Sequence, residues 1–273
     1  MARKNLFWPC VLVLASADIL SADTELSVFD AHIHYSDDAR AFITPQSVLR
    51  ILDRAGVSRA LVSSTPNDGT LALYEKYPDR VVPTLRPYRT GADRGAWYRD
   101  ASMVEYVERE LQRGVYRGIG EFHLHSGQTG TDEIRRIVEI SVQRNLILHA
   151  HSDEAAIQGL FEVNSGARIL WAHAGMSAEP ETVGALLDRH RTLWVELSLR
   201  GWDIAPNGRL NPAWRTLFLH HPDRFLIGTD TWAARRWDEL PDEMAVARRW
   251  LAQLPRDVAE QIARGNAERL FPP

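Results

Sequence analysis

Short apolar, β-rich runs alternate with longer amphipathic segments along most of the chain. The runs are SVFDAHIH, RALVSST, RVVPTLRPY, YRGIGEFHLH, LILHAHS, ARILWAHAG, LWVELSL and RFLIGTD, which gives eight predicted strands. Strands that alternate with helical patterns are typical of βα units around a parallel sheet. Over a chain of 273 residues, eight such units predict an α/β protein of one domain, a (β/α)8 TIM barrel.

The segments between the runs carry helix start and stop signals. In residues 44–56, TPQSVLRILDRAG, Thr44 is placed as the N-cap, Pro45 as the first helical residue and Gly56 as the stop. Helical spacing also predicts helices in ASMVEYVERELQRG, TDEIRRIVEISVQRN, DEAAIQGLFEVNSG, EPETVGALLDRH and NPAWRTLFLHH. Residues 87–101 are predicted to form an irregular loop over the barrel mouth. A doubly wound sheet is disfavoured because no G-x-G-x-x-G pattern follows the first strand.

The N-terminal segment has the pattern of a signal peptide. Basic residues precede an apolar stretch at 6–15, and ASA at 15–17 matches an A-x-A cleavage site. We therefore predict a signal peptide over residues 1–17, a barrel domain over residues 18–273 and export to the periplasm. A short first helix of a cytoplasmic protein is the alternative, which Pro9 disfavours.

Composition narrows the classes of function. The formal charge is −4, and no long basic run is present, which disfavours a nucleic-acid partner. Cys10 is the only cysteine, and it lies in the predicted signal peptide, so any metal site of the mature chain must use His, Asp and Glu. No later apolar stretch reaches the ~18 residues that cross a membrane. We expect a soluble protein, and a homo-oligomer remains open.

Side chains that bind metals gather at the carboxyl ends of the predicted strands, where (β/α)8 barrels carry their active sites. His32 and His34 share one face of an extended strand and converge on one point. The same end carries Glu121, His149, His151, His173 and Asp230. Buried without partners, such groups would cost about 1–3 kcal/mol each, whereas a shared divalent cation would satisfy them together.

These motifs resemble the amidohydrolase superfamily, in particular its amidohydrolase-related branch of metal-dependent hydrolases. The resemblance rests on DAHIH, GIGEFHL, AHSDEAA, WAHAG, IGTD and the closing IARGNAERLF, and it covers nearly the whole predicted mature chain. It implies a divalent metal, with zinc expected and manganese as the alternative. The implied ligands are His32, His34, a histidine of the fifth strand, His173 and Asp230.

Two features of this ligand set stay open. Glu121 is similar to the metal-ligating glutamate of TatD-type hydrolases. The site could therefore hold either a single ion or two ions bridged by Glu121. On the fifth strand, HSDEAA aligns better with the family when His151 is the ligand, which leaves His149 as a supporting or substrate-binding group. The resemblance also implies that Asp230 takes a proton from a water that attacks an ester, lactone or amide carbon, while His173 or the metal stabilises the oxyanion.

Substrate recognition is expected at the same rim. Arg86 and Arg200 follow strands and could bind a carboxylate bidentately, the alternative being two solvated loop arginines. Glu196 could hydrogen-bond a ligand histidine or the substrate. The loop tryptophans could wall an aromatic ligand, and they are Trp97, Trp202 and Trp232. We therefore expect a small substrate that carries a carboxylate or an aromatic group.

Three other functions compete with a hydrolase. A metal-dependent decarboxylase is the runner-up, since the same branch of the family contains both. A TatD-like nuclease is suggested by Glu121, but the acidic net charge makes a polyanionic substrate unattractive. A non-catalytic exported barrel that binds a ligand or metal is disfavoured by the presence of Asp230.

Overall fold

Eight parallel strands follow one another in sequence order around a single barrel. The computed structural model describes residues 26–273, so the predicted signal peptide and Cys10 lie outside the described residues. The strands are β1 Val28–His34, β2 Val57–Ser63, β3 Val81–Leu85, β4 Gly118–Leu124, β5 Ile147–Ser152, β6 Arg168–Trp171, β7 Leu193–Glu196 and β8 Phe225–Leu226. All eight predicted strands and the (β/α)8 barrel are confirmed.

The barrel closes between β1 and the segment that follows β8. β8 has only two residues, and the chain beyond it continues the pairing. The Asp230 amide donates to the His32 carbonyl at 2.8 Å, and the His34 amide donates to the Thr231 carbonyl at 2.8 Å. Closure therefore brings Asp230 beside both histidines of β1.

Helices cover the outside of the barrel. They are α1 Asp37–Arg40, α2 Pro45–Arg54, α3 Asp68–Lys76, α4 Ala101–Glu110, α5 Asp132–Gln143, α6 Glu154–Val163, α7 Pro180–Arg189, α8 Gly201–Ile204, α9 Pro212–His220, α10 Ala234–Leu251, α11 Arg256–Glu260 and α12 Asn266–Leu270. The six predicted helices are confirmed as α2, α4, α5, α6, α7 and α9. Thr44 caps α2 as expected, because its side chain accepts from the Ser47 amide. Within residues 26–273, no helix has the length and hydropathy of a membrane span.

The predicted loop over the mouth is partly ordered. It contains two short 3-10 helices, Gly91–Gly95 and Trp97–Arg99. The prediction that Trp97 walls the mouth is wrong, because its side chain is only 1% exposed. Its indole N–H instead donates to the His123 carbonyl at 2.8 Å and packs the loop onto β4.

The amino end of the barrel interior is apolar. Strand residues there form one cluster with the end of the chain, and its members are Phe29, Ala31, Leu61, Val82, Ile147, Leu170, Leu226, Ala267, Leu270 and Phe271. Asn266 anchors α12 to this end, since its side-chain amide donates to the carbonyls of Pro222 at 2.9 Å and Phe225 at 2.8 Å. The polar interior is therefore confined to the carboxyl end.

Candidate active site

The two histidines of β1 face each other inside the carboxyl end of the barrel. Their Nε2 atoms are 3.1 Å apart. The Nδ1 of His32 donates to the Glu196 carboxylate at 2.9 Å, and the Nδ1 of His34 donates to the Ser63 carbonyl at 3.0 Å. With each Nδ1 held by a hydrogen bond, the two Nε2 atoms face each other and are placed to bind one cation.

Two carboxylates complete this group. Glu121 Oε2 lies 3.1 Å from His34 Nε2 and 3.6 Å from His32 Nε2. Asp230 Oδ1 lies 3.3 Å and 3.5 Å from the same nitrogens. A tetrahedral ion with ligands at 2.0–2.1 Å has ligand-to-ligand edges of about 3.3 Å. The four atoms therefore fit a divalent cation, and the four residues form a buried group that could hold one.

The other oxygen of Glu121 faces a second group. Glu121 Oε1 lies 3.0 Å from His151 Nδ1 and 3.4 Å from His173 Nε2. His173 is fixed by its Nδ1, which lies 2.8 Å from the Ser198 hydroxyl. The ring of His123 stacks on His151 at 4.4 Å, and these two histidines and Glu121 could also hold an ion. One carboxylate thus joins two sets of imidazoles.

His149 lies deeper in the barrel than His151. Its side chain is 1% exposed, its ring centroid is 4.4 Å from that of His32, and its Nε2 has no hydrogen-bond partner among the described residues. Burial and the neighbouring His32 lower the pKa of His149 well below its usual value, so the ring is neutral. The position beside Glu121 belongs to His151, as expected, and its ligand role stays a prediction.

The electrostatics of the cluster favour added positive charge. Burial raises the pKa of Glu121 and of Asp230, but the facing histidines, His32 foremost, together outweigh burial and hold both pKa values below their usual range. Burial opposes a charge on His32 too, yet Asp230 and Glu121 raise the pKa of His32 well above its usual value. A divalent cation would supply the positive charge that the two carboxylates favour, so the donor set fits a metal.

Backbone geometry places two of the candidate ligands. His173 has a φ of 57° and Asp230 a φ of 50°, both in the left-handed region. They lie in the turns after β6 and β8, not on the strands as the sequence predicts. Gly228 makes room for Glu196 and His32, since a Cβ there would lie 2.1 Å from Glu196 Oε1 and 2.9 Å from the His32 Cβ. Only glycine lets Glu196 reach His32.

A sequence comparison decides the family. The profile of the Amidohydrolase family matches residues 29–272. The chain belongs to the Amidohydrolase family. It is thus an enzyme of the amidohydrolase type, with a metal-dependent hydrolase or decarboxylase activity, and its buried cluster indicates a divalent metal. No curated protein sequence matches this amidohydrolase significantly.

Solved structures similar to this amidohydrolase share its fold. A probable 2-pyrone-4,6-dicarboxylic acid hydrolase from Acinetobacter baumannii, with citric acid bound, is 14% identical over 90% of this chain and 99% of its own, with a TM-score of 0.58. An amidohydrolase from Burkholderia multivorans with bound Zn has the same identity and coverage and a TM-score of 0.54. A TatD homologue from Escherichia coli is 18% identical over 89% of this chain and 97% of its own, with a TM-score of 0.61.

A cavity of about 370 Å³ leads from the surface of the amidohydrolase to the cluster. Arg86 lines it, only 5% exposed, with its Nη2 3.1 Å from Glu121 Oε2 and its Nε donating to the Glu121 carbonyl at 2.9 Å. It is therefore not a solvated loop arginine. Trp232 stands at the rim, 51% exposed, whereas Trp202 is 71% exposed and does not line this cavity.

The prediction that Arg200 binds a substrate carboxylate is wrong. Arg200 is 1% exposed, and all five N–H groups of its guanidinium donate to oxygen atoms of the amidohydrolase itself. They donate to the carbonyls of His173 at 3.2 Å, Ala174 at 2.9 Å and Ala178 at 2.9 Å and, from two nitrogens, to the Asp203 carboxylate. Arg200 therefore supports the left-handed turn that presents His173.

Several residues of the site were not predicted. His123 follows Glu121 by two positions, so the alternation of strand side chains already placed it on the same face. Asp30 precedes His32 by the same spacing, and it accepts from the amide and hydroxyl of Thr229. Burial raises the pKa of Asp30 to about 7. Arg94 lines the mouth from the 3-10 helix after β3, and no local signal marks it.

Proposed function

We propose that this amidohydrolase is a metal-dependent hydrolase that cleaves an ester, lactone or amide bond of a small carboxylated molecule. The observation that carries the proposal is the buried Glu121 carboxylate, with one oxygen in each of two imidazole groups. The His-rich donor set favours zinc, with manganese as the alternative. The Burkholderia structure with bound Zn supports the same choice.

The residues divide between two positions. His32, His34 and Asp230 would hold one cation with one oxygen of Glu121. His151 and His123 would hold a second with the other oxygen, beside which His173 also lies. A divalent cation supplies Lewis acidity there, lowering the pKa of a water from 15.7 toward about 7. Because His173 Nε2 faces Glu121, we assign it a ligand role in place of the oxyanion contact.

Asp230 is the proposed proton carrier. Its pKa is held below the usual range by the facing histidines despite burial, so it is a carboxylate at neutral pH. It also lines the mouth cavity, where a substrate can reach it. Asp230 accepts the proton of the attacking water and returns it to the leaving group as general acid.

The mouth favours a substrate with a carboxylate. Arg94 is exposed there, and the buried Arg86, whose guanidinium pairs with Glu121, lines the same cavity. Trp232 offers an apolar edge. The Acinetobacter structure, a probable dicarboxylic acid hydrolase with citric acid bound, supports this substrate class. Action in the periplasm follows from the predicted signal peptide and is part of the proposal.

Chelation followed by metal reloading tests the function. The chelated enzyme is expected to be inactive toward a panel of carboxylated lactones, esters and amides and to regain activity with zinc or manganese. A metal content below about 0.2 per chain after reloading would contradict the ligand set. Release of carbon dioxide without a hydrolysis product would replace the hydrolase with the decarboxylase.

The Arg94→Ala variant tests the substrate class. We expect KM for carboxylated substrates to rise by roughly tenfold, with kcat little changed, since the lost contact binds substrate away from the reacting bond. Arg99→Ala, an exposed arginine that does not line the cavity, is the matched control. Equal KM values for the two variants would exclude Arg94 from recognition.

A further inference from the structure

A second cavity opens at the amino end of the barrel, opposite the mouth. Its volume is about 730 Å³. Three arginines line it from just before β4, just before β5 and the start of β6, and a fourth comes from α12; they are Arg117, Arg144, Arg168 and Arg269. No acidic side chain is among the lining residues. Four positive charges from distant parts of the sequence therefore share one concave surface.

Three of these charges are positioned by neutral groups. Arg168 Nη1 donates to the Asn145 side-chain oxygen at 2.8 Å, Arg144 Nη1 donates to the Leu111 carbonyl at 3.3 Å, and Arg269 donates to the Asn266 side-chain oxygen. Within residues 26–273, none of the four arginines forms an ion pair with a carboxylate. Amide and carbonyl oxygens orient a guanidinium without cancelling its charge.

The spacing of the arginines suits a ligand with several negative groups. Gly118, Ile147 and Arg168 are in register across β4, β5 and β6. Because adjacent strands lie about 4.8 Å apart, the arginines at these strand starts spread over about 10 Å. A single phosphate reaches one or two guanidinium groups, whereas linked phosphates reach more, with fork-shaped contacts that arginine makes well.

We propose that this amino-end cavity binds a small polyphosphate-bearing molecule through Arg117, Arg144, Arg168 and Arg269. The volume is in the range of small-molecule sites, and Tyr116 and Leu146 add apolar surface to the lining. The site is separate from the candidate metal site, because Asn145 lies before β5 and His151 lies four residue steps, about 13 Å of strand, beyond the first residue of β5, Ile147. Inorganic polyphosphate and nucleoside triphosphates share the required chemistry.

Calorimetric titration of the chelated protein tests the proposal, since chelation prevents phosphates from binding metal at the mouth. Tripolyphosphate and a nucleoside triphosphate are the two probes. We expect one molecule per chain, with a Kd below about 1 mM at 0.1 M salt that rises with salt. Tighter binding of tripolyphosphate identifies an inorganic ligand, and tighter binding of the nucleotide identifies an organic one. Absence of binding by both probes overturns the proposal.

Three variants locate the bound anion. Arg117→Ala combined with Arg269→Ala is expected to weaken binding at least about tenfold. Both side chains are exposed, and an unchanged melting temperature confirms folding. Arg215→Ala on α9 and Arg94→Ala at the mouth are controls that leave affinity unchanged. Weakening by Arg94→Ala alone would place the anion at the mouth and overturn the proposal.

Discussion

Glu196 contacts the candidate metal ligands without facing the cavity. Its carboxylate is fully buried and accepts from His32 Nδ1 at 2.9 Å, the Ser198 hydroxyl at 2.8 Å and the His173 amide at 3.3 Å. Of the two roles expected for Glu196 from the sequence, the hydrogen bond to a candidate ligand histidine, here His32, is the one observed. The other expected role, contact with the substrate, is not observed, since Glu196 has no exposed surface.

Removing the charge of Glu196 is predicted to weaken metal binding. Glu196→Gln keeps the size of the side chain but makes His32 a less basic ligand, so zinc affinity should fall about 10–100-fold. Competition with a chromophoric chelator measures it. Glu105→Gln, an exposed change on α4, should leave affinity as in the wild type. A Glu196→Gln protein with wild-type zinc affinity would show that Glu196 does not support metal binding by His32.

Side-chain alternation made part of the site predictable. His32, His34 and His151 lie where a period of two places them, because each sits within a strand. His173 and Asp230 are reached through left-handed turns whose geometry depends on distant partners. The sequence showed a histidine and an aspartate at these positions, but it did not predict the left-handed turns that orient them.

Helix prediction failed where local signals were weak or interrupted. The longest helix, α10, was not predicted, although its buried Trp237, Leu240, Met244, Ala247 and Leu251 recur at helical spacing. Pro241 interrupts the pattern inside the helix. The short α3 was missed as well, since it buries only Gly69, Thr70 and Leu73. Both α10 and α3 therefore depend on tertiary packing more than on a local sequence signal.

The anchor of α12 is predicted to matter for stability. Asn266→Ala leaves the carbonyls of Pro222 and Phe225 without their donor, and we expect a loss of about 1–3 kcal/mol in the free energy of unfolding. Urea denaturation measures it. Arg264→Ala, which removes only an exposed ion pair with Glu268, should cost less than about 1 kcal/mol. Equal losses would show that Asn266 is not an anchor.

The interior of the barrel is apolar at its amino end, and the candidate metal ligands are buried at its carboxyl end, so bound metal should stabilise the whole barrel. Zinc that binds the folded chain alone adds about 2.7 kcal/mol at a hundred times its Kd. The melting temperature of the chelated protein should therefore rise with zinc concentration. His34→Asn should abolish most of this rise, and magnesium, which prefers oxygen ligands, should not reproduce it. A zinc-independent melting temperature would contradict the cluster.

The seam of the barrel and its chemistry share the same hydrogen bonds. The amides of Ala31, His34 and Asp230 join β1 to the chain after β8, each at 2.8 Å. Any fluctuation that parts this seam also draws Asp230 away from the imidazoles, so the cylinder cannot loosen there and keep its reaction centre. Deuterium uptake at these three amides would therefore report on catalytic readiness and on barrel integrity at once.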